Sequence, residues 1–570
     1  MTRERELYNR WKSRLEGDAL FSSQLAAIEG DDGEILDRFY CDLSFGTAGL
    51  RGVLGLGTNR MNIFTVRRAT QGLAEYLLAS CDAPSAAIAY DSRIQSDEFA
   101  RETACVLAAH GIKVHLYQEL MPTPALSYAV RQLGCQAGVV ITASHNPAKY
   151  NGYKAYGPDG CQIGPEVADA VLENIGRLDC FDGIRHMAFD EALAQGLIEY
   201  IPESFVQQYI SRVCEESLNP AASAKAGLNL VYTPLNGAGK RCVLTALEKM
   251  GVTNVTVVPE QAEPDGNFPT CPYPNPEMRE TLGLGIALCQ KTGADLLLAT
   301  DPDADRVAVA VRDGGGCRIL TGNEVGVLLL DYIASTRYGA GTLPENPVAV
   351  KSIVSSKLAD AVAGDYGVEM RSVLTGFKFI GEVIAGLEAT GEENRFIFGF
   401  EESCGYLSGG YVRDKDAVNA SVLLVEMASA YKLAGKSLIN VLDSIYDKHG
   451  IYRNLVSSFA FEGADGMQKM ADIMDALRKN PPAQIAGESV AYRVDYKVST
   501  RWDGEDATAL SLPASDVLEY GVGSGSSFII RPSGTEPKIK IYYSLVGRTL
   551  AEVDAATPGY KAACEAFLGR

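Results

Sequence analysis

Four short apolar runs in this chain each stop at a loop crowded with polar and ionisable residues. Val139-Val140-Ile141 gives way to Thr142-Ala-Ser-His-Asn-Pro147, and Leu296 to Ala299 gives way to Asp301-Pro-Asp-Ala-Asp-Arg306. Phe396-Ile-Phe398 leads into Glu401-Glu-Ser403, and Phe528-Ile-Ile530 into Arg531-Pro-Ser-Gly-Thr535. An apolar run of this length reads as a strand buried on both faces. In open α/β sheets, ligands gather beyond the carboxyl ends of such strands. The pattern therefore predicts one site assembled from four loops, against the plainer reading that an α/β chain of this size offers many strand-to-loop breaks.

The remaining pattern divides the chain into blocks. Leu7, Trp11 and Leu15 are spaced for one face of an N-terminal helix. From Phe45 to about Tyr200, strands such as Ala86-Ala87-Ile88-Ala89 alternate with helical stretches such as Phe99 to His110, which predicts parallel βαβ units. A second such block, with a hairpin turn at Gly314-Gly315-Gly316 after the strand Val307 to Val311, and a third block follow. Beyond Tyr452, a charged helical stretch from Gln468 to Lys479 precedes alternating segments at Ser489 to Val498 and Lys538 to Leu545, which predicts a smaller α+β unit. The expected domains are 1–200, 201–320, 321–452 and 453–570.

Composition narrows the function. At 570 residues the chain is too long for a single core. With 52 basic against 72 acidic residues the formal charge is −20, which argues against a nucleic-acid or anionic-membrane partner. No segment approaches the roughly 18 uninterrupted apolar residues of a membrane helix. The start, Met1-Thr-Arg-Glu-Arg-Glu6, lacks the apolar core of a signal peptide. Thirteen cysteines without a Cys-x-x-Cys pair fit reduced thiols. A soluble, cytoplasmic protein is expected.

The acidic loop carries the most specific chemistry. Asp301, Asp303 and Asp305 alternate at a strand end, where a turn can fold three hard oxygens around one divalent cation. An EF-hand would need Gly and Glu where this chain has Arg306 and Arg312, so calcium sensing is rejected. Three carboxylates leave Mg²⁺ coordination positions for water or a phosphate oxygen, and Arg306 suits a phosphate. Three solvated turn aspartates are the alternative.

Ser144 does not lie in a Gly-x-Ser-x-Gly elbow, and adjacent side chains are expected to diverge, so a hydrolase pair with His145 is disfavoured. A serine carrying a phosphoryl group beside a metal, or a capping serine, remain as readings. The Arg531 to Thr535 turn offers N–H groups, two hydroxyls and a guanidinium to an oxyanion, though Ser, Gly and Pro are also ordinary turn residues. Glu401 and Ser403 could bind sugar hydroxyls or end a strand. The segment 430–437 ends like a P-loop but begins with Ala430, and no His/Cys cluster has zinc spacing.

Together the four loops resemble the α-D-phosphohexomutase superfamily, in an order that spans essentially the whole chain. Phe45-Gly-Thr-Ala-Gly-Leu-Arg-Gly52, Thr375-Gly-Phe-Lys378 and Val412-Arg-Asp-Lys-Asp-Ala417 resemble its long phosphoglucomutase/phosphopentomutase-type branch. The resemblance implies an α/β fold of four domains around a central cleft, three similar domains with mixed sheets and a C-terminal α+β domain. It implies phosphoserine at Ser144, Mg²⁺ on Asp301, Asp303, Asp305 and a Ser144 phosphoryl oxygen, and Arg51, His145 and Lys154 at the reacting phosphate. Lys154 is the candidate general acid/base. Arg306, Thr375, Lys378, Glu401 and Ser403 would contact substrate, and Arg531, Ser533, Gly534 and Thr535 would bind its distal phosphate.

The implied reaction interconverts glucose 1-phosphate and glucose 6-phosphate through a sugar 1,6-bisphosphate that also serves as activator. Pentose and mannose phosphates are the alternative substrates. A bisphosphate synthase, a magnesium-dependent phosphatase and a silent phosphosugar-binding scaffold are the rival activities, and the intact nucleophile and metal loops speak against the last. Oligomeric state and regulation do not follow from these residues.

Overall fold

The computed structural model describes residues 2–46, 49–461, 465–533 and 537–569. The chain forms two compact units, the first made of residues 1–321, 381–396 and 404–435 and the second of 322–380, 397–403 and 436–570.

The first unit opens with three helices where one was expected: Arg3–Arg14, Ala19–Ala26 and Asp32–Phe39. Asp18 and Asp31 divide the segment because each carboxylate accepts N–H bonds from the turn that follows it, the strongest helix-start signal available to a short acid. Trp11 meets the rings of Phe39, Phe64 and Phe181 edge-on, which fastens these helices to the domain that follows.

That domain is built on a mixed sheet. Strand Ser85–Tyr90 lies parallel to both Lys113–Tyr117 and Ala137–Ile141, with Ile198–Ile201 added beyond Lys113–Tyr117. Helices Ser96–Ala109 and Thr123–Leu133 make the crossovers that parallel neighbours require. Residues 142–149 are too few for a crossover, so strand Tyr150–Tyr156 returns antiparallel and Leu50–Val53 pairs antiparallel with it. The loop that carries Ser144 is thus a tight reversal between two buried strands.

The second sheet repeats the arrangement. Strand Leu230–Thr233 lies parallel to Val255–Val257 and Leu296–Thr300, whereas Val307–Asp313 and Gly316–Leu320 are antiparallel additions. Residues 301–306 form the first reversal. The hairpin expected near Gly314 is the second, with Asp313 opposite Gly316 and Gly314 at φ +55°.

In the second unit, strands Glu369–Val373, Val348–Ser352 and Phe396–Glu401 lie side by side. Gly326 of helix Gly322–Ala340 lets that helix press against the Phe400 ring, whose Cδ2 is 2.3 Å from where a Cβ would sit. The C-terminal part is an antiparallel sheet that includes Ile451–Ala460, Glu488–Asp495, Leu518–Val522, Ser527–Pro532 and Lys538–Gly547. Phe528, Ile530, Ile539 and Ile541 face helices Gly466–Lys479 and Leu550–Ala566. Ile529 points to the opposite face, as strand alternation requires, and packs with Ile353, Val354 and Leu374. Between the two parts a buried Glu519 carboxylate pairs with Lys357 at 2.9 Å and accepts from the hydroxyls of Tyr492 and Tyr496.

Among the described residues no helix is long and apolar enough to cross a membrane. All thirteen cysteines are unpaired. The P-loop-like segment resolves into ordinary helix ends, with Ser437 capping helix Leu438–His449.

Candidate active site

Ser144 sits at φ +50°, a left-handed conformation that L-residues other than glycine and asparagine seldom adopt. This twist brings its Oγ to 2.9 Å from Asp301 Oδ2 and 3.2 Å from His145 Nδ1. The expected divergence of the two neighbouring side chains is therefore overturned, since Ser144 Oγ lies within hydrogen-bond reach of the His145 ring. Burial, followed by the positive charges of Arg306 and Arg51, keeps the His145 imidazole well below the ordinary histidine value and so neutral.

The acidic loop folds on itself. Asp301 Oδ1 accepts the N–H groups of Asp305 and Arg306 at 3.1 and 3.0 Å, and Ala304 takes φ +48° to close the turn. Thr123 braces it from the start of helix Thr123–Leu133, giving its hydroxyl to Asp303 Oδ2 at 2.9 Å and its N–H to the Asp303 carbonyl at 2.8 Å. Asp301, Asp303 and Asp305 are all buried and can offer one oxygen each within 4.8 Å of one another. The Oδ1 atoms of Asp303 and Asp305 are buried without a hydrogen-bond partner, as ligand oxygens awaiting a cation would be. Burial and repulsion from Asp303 and Asp305 push the Asp301 carboxyl well up, whereas Lys154 holds Asp303 down against its own burial. The donor set is all hard oxygen, which suits Mg²⁺.

Two lysines face this cluster. Lys154, on strand Tyr150–Tyr156, lies 2.8 Å from Asp303 and 3.6 Å from Asp305. Lys415 lies 3.2 Å from Asp305 and 2.9 Å from Asp414, which in turn accepts from Tyr156 Oη at 2.7 Å. Burial pulls the Lys154 ammonium down, but Asp303 and Asp305 outweigh it and raise its pKa. Arg51 reaches Asn146 Oδ1 at 3.5 Å, and Arg306 pairs with Glu277 at 2.7 Å.

The first unit thus brings Ser144, His145, Lys154, Arg51, Arg306 and the three aspartates together. Lys415, Asp414 and Thr123 were not singled out from the sequence for a site role. For Lys415 the sequence carries a signal, since it lies within the Arg413-Asp-Lys-Asp416 segment that marks the branch.

The second unit holds the other expected residues. Glu401 Oε1 accepts the Gly376 N–H at 2.7 Å, which ties strand Phe396–Glu401 to the turn bearing Thr375 and Lys378. Thr375 Oγ1 is buried without a hydrogen-bond partner, and the Lys378 ammonium lies 4.9 Å from the Phe379 ring centroid. Ser403 is half-buried, while its neighbour Glu402 accepts from Ser352 Oγ at 2.9 Å. Arg531 is half-buried at the end of strand Ser527–Pro532, and the Ser533 N–H donates to the Lys538 carbonyl at 2.8 Å. Gly534 and Thr535 lie outside the described residues.

Models of the phosphoglucomutase/phosphomannomutase alpha/beta/alpha domains I, II and III match residues 42–179, 207–315 and 321–449. Over 543 residues the chain is 38% identical to a phosphoglucomutase of Staphylococcus aureus (strain MSSA476), with 94% of each covered. It resembles the crystal structure of a putative phosphomannomutase from Thermus thermophilus at TM-score 0.69 and 22% identity, covering 92% of this chain and 99% of that one. It also resembles the open form of the exocytosis-sensitive phosphoprotein pp63/parafusin from Paramecium at TM-score 0.69 and 16% identity, covering 93% and 95%. Three successive domain matches and identity sustained over nearly the full length lead to one conclusion: the chain belongs to the phosphoglucomutase/phosphomannomutase family.

Proposed function

We propose that this protein is a phosphoglucomutase that interconverts glucose 1-phosphate and glucose 6-phosphate through phosphorylated Ser144 and a glucose 1,6-bisphosphate intermediate. The observation that carries the reading is Ser144 Oγ at 2.9 Å from Asp301, in a loop held over three buried carboxylates. The bond from Ser144 Oγ to phosphorus breaks as the oxygen of the free sugar hydroxyl bonds to phosphorus, and the Lys154 ammonium gives a proton to Oγ as it takes up the hydroxyl proton. The other phosphate of the bisphosphate then returns to Ser144 Oγ. Lys154 and Arg51 stabilise the charge on the transferring group, Lys154 exchanges the proton, and His145 orients Oγ. Mg²⁺ held by Asp301, Asp303 and Asp305 would neutralise the charge that builds on the phosphoryl oxygens.

Arg306 contributes to substrate binding, as do Thr375, Lys378, Glu401 and Ser403. Arg531, Ser533, Gly534 and Thr535 hold the distal phosphate, and the bisphosphate serves as activator. The unpaired thiols support a reducing, cytoplasmic setting.

The test is a product assay with Mg²⁺ and a trace of glucose 1,6-bisphosphate on glucose, mannose and ribose 1-phosphates. Rapid formation of glucose 6-phosphate without free phosphate, abolished by Ser144→Ala, is expected. Preference for ribose or mannose 1-phosphate would move the assignment to phosphopentomutase or phosphomannomutase. Release of free phosphate would make the protein a phosphatase, and activity surviving Ser144→Ala would overturn the phosphoserine mechanism.

A further inference from the structure

Strand Ser85–Tyr90 ends in Asp91-Ser92-Arg93, and the side chains of Asp91 and Arg93 are wholly buried. Both terminal nitrogens of the Arg93 guanidinium bind the loop that carries Ser144, while its Nε lies 3.4 Å from Asp91 Oδ2 and its Cζ 5.1 Å from the Phe268 ring centroid. Its Nη1 donates to the carbonyls of Pro147 at 3.0 Å and Tyr150 at 2.9 Å, and its Nη2 donates to the carbonyls of Ser144 and Asn146. Asp91 completes the brace. Its Oδ1 accepts from Ser96 Oγ at 2.8 Å and from the Arg93 N–H at 2.9 Å, while its Oδ2 accepts from Thr142 Oγ1 at 2.6 Å. Thr142 Oγ1 in turn accepts the Ser144 N–H at 2.8 Å.

The N–H and C=O of Ser144 are thus both held by side chains that radiate from one buried ion pair. A left-handed serine is strained and persists only where its surroundings over-determine it. The brace supplies that determination, and the conformation it holds is the one that points Oγ at Asp301.

We infer that Arg93, with Asp91, is a positioning pair for phosphoryl transfer, holding the Ser144 peptide groups so that Oγ stays aligned on Asp301. The inference rests on the phosphoserine reading above. Only a planar, multidentate cation can reach four carbonyls, so lysine is not a substitute. Arg93 and Asp91 also line a cavity of about 720 Å³ between the first two sheets' loops, bordered by Gly237, Arg241 and Thr245.

The experiment compares Arg93→Lys, Arg93→Ala and Thr142→Val with wild type, reading kcat and KM for glucose 1-phosphate, the rate of Ser144 phosphorylation by glucose 1,6-bisphosphate, and thermal unfolding. Arg93→Lys is expected to lose about 100-fold in kcat at unchanged KM, the scale of an ångström-sized misplacement. Arg93→Ala is expected to lose at least as much.

A role in folding alone would lower the phosphorylatable fraction while leaving the rate per phosphorylated site untouched, and that outcome overturns the inference. So does wild-type kcat in Arg93→Lys. If both Arg93 variants fail to fold, Thr142→Val decides, since unchanged kcat there overturns the inference and a lowered kcat at unchanged KM upholds it. Active wild type beside unimpaired variants sinks the inference alone. Wild type that takes up no phosphoryl group at Ser144 sinks the parent reading as well.

Discussion

Gly237 offers a sharp test of how the metal loop is held. It lies just beyond strand Leu230–Thr233, and the next residue, Ala238, donates its N–H to the Pro302 carbonyl at 2.7 Å. A Cβ on Gly237 would stand 2.4 Å from Pro302 Cα and 2.6 Å from its carbonyl oxygen. Carbon atoms pack at about 3.5 Å or more, so one of the two backbones must retreat by about 1 Å. Both are main chain, so no side chain can swing aside. Pro302 is flanked by Asp301 and Asp303, and the displacement passes directly to two of the three carboxylates.

Gly237→Ala should therefore cost about 1–3 kcal/mol in stability as an overpacked contact. Its larger effect should be a loss of about 10–100-fold in metal affinity or activity, the usual penalty for disturbing groups that orient metal ligands. The assay is the initial rate of glucose 6-phosphate formation titrated with Mg²⁺. Gly339→Ala serves as control, because its Cβ meets nothing within 4 Å. Wild-type kcat and an unchanged Mg²⁺ midpoint in Gly237→Ala would refute the claim that this contact sets the loop.

Three further outcomes follow from groups already described or adjoining them. Lys154→Met should lower kcat by about 100-fold or more while the protein stays folded, as loss of a positioned acid/base does, and near-normal turnover would remove Lys154 from the proton step. Burial pushes the Glu102 carboxyl up, but hydrogen bonds from His186 and Arg67 outweigh it and hold it at about 2, below its ordinary 4.5. Because the folded value is depressed, its stabilisation, about 2 kcal/mol once solvent screening is allowed for, is complete above about pH 4.5 and is lost as the pH falls towards about 2. Acid unfolding followed by circular dichroism should show a shallower loss over that window in Glu102→Gln. Lys357→Met strands the buried Glu519 carboxylate and should destabilise the second unit by about 3 kcal/mol in urea, whereas the double variant with Glu519→Gln should recover part of the loss.

The sheets were legible because their centres are apolar without interruption. The strands before Ser144 and Asp301 are buried at every position, and both loops begin where the strands end. The same rule applied to Ala86-Ala87-Ile88-Ala89 would have exposed a fifth loop, Asp91-Ser92-Arg93. It passed unnoticed because one acid and one base two residues apart look like a solvated turn until their burial is known. In the N-terminal region the helical spacing of Leu7, Trp11 and Leu15 marks one helix, whereas Asp18 and Asp31 stop and restart the chain. The contact between Ser144 and His145 was illegible for a different reason: whether neighbouring side chains meet depends on backbone and side-chain torsions that the sequence does not mark.

The partition into two units has a spectroscopic consequence. The chain has two tryptophans, and each unit holds one. Trp11 is sealed in the ring cluster at the N-terminal helices, whereas Trp502 lies half-buried in the C-terminal sheet with the Arg493 guanidinium 4.3 Å from its ring centroid. Trp11→Phe leaves emission from the second unit alone, and Trp502→Phe leaves the blue-shifted emission of the first. A pair of single substitutions thus turns intrinsic fluorescence into two separate channels, one per unit, through which unfolding and ligand binding can be followed without any added dye.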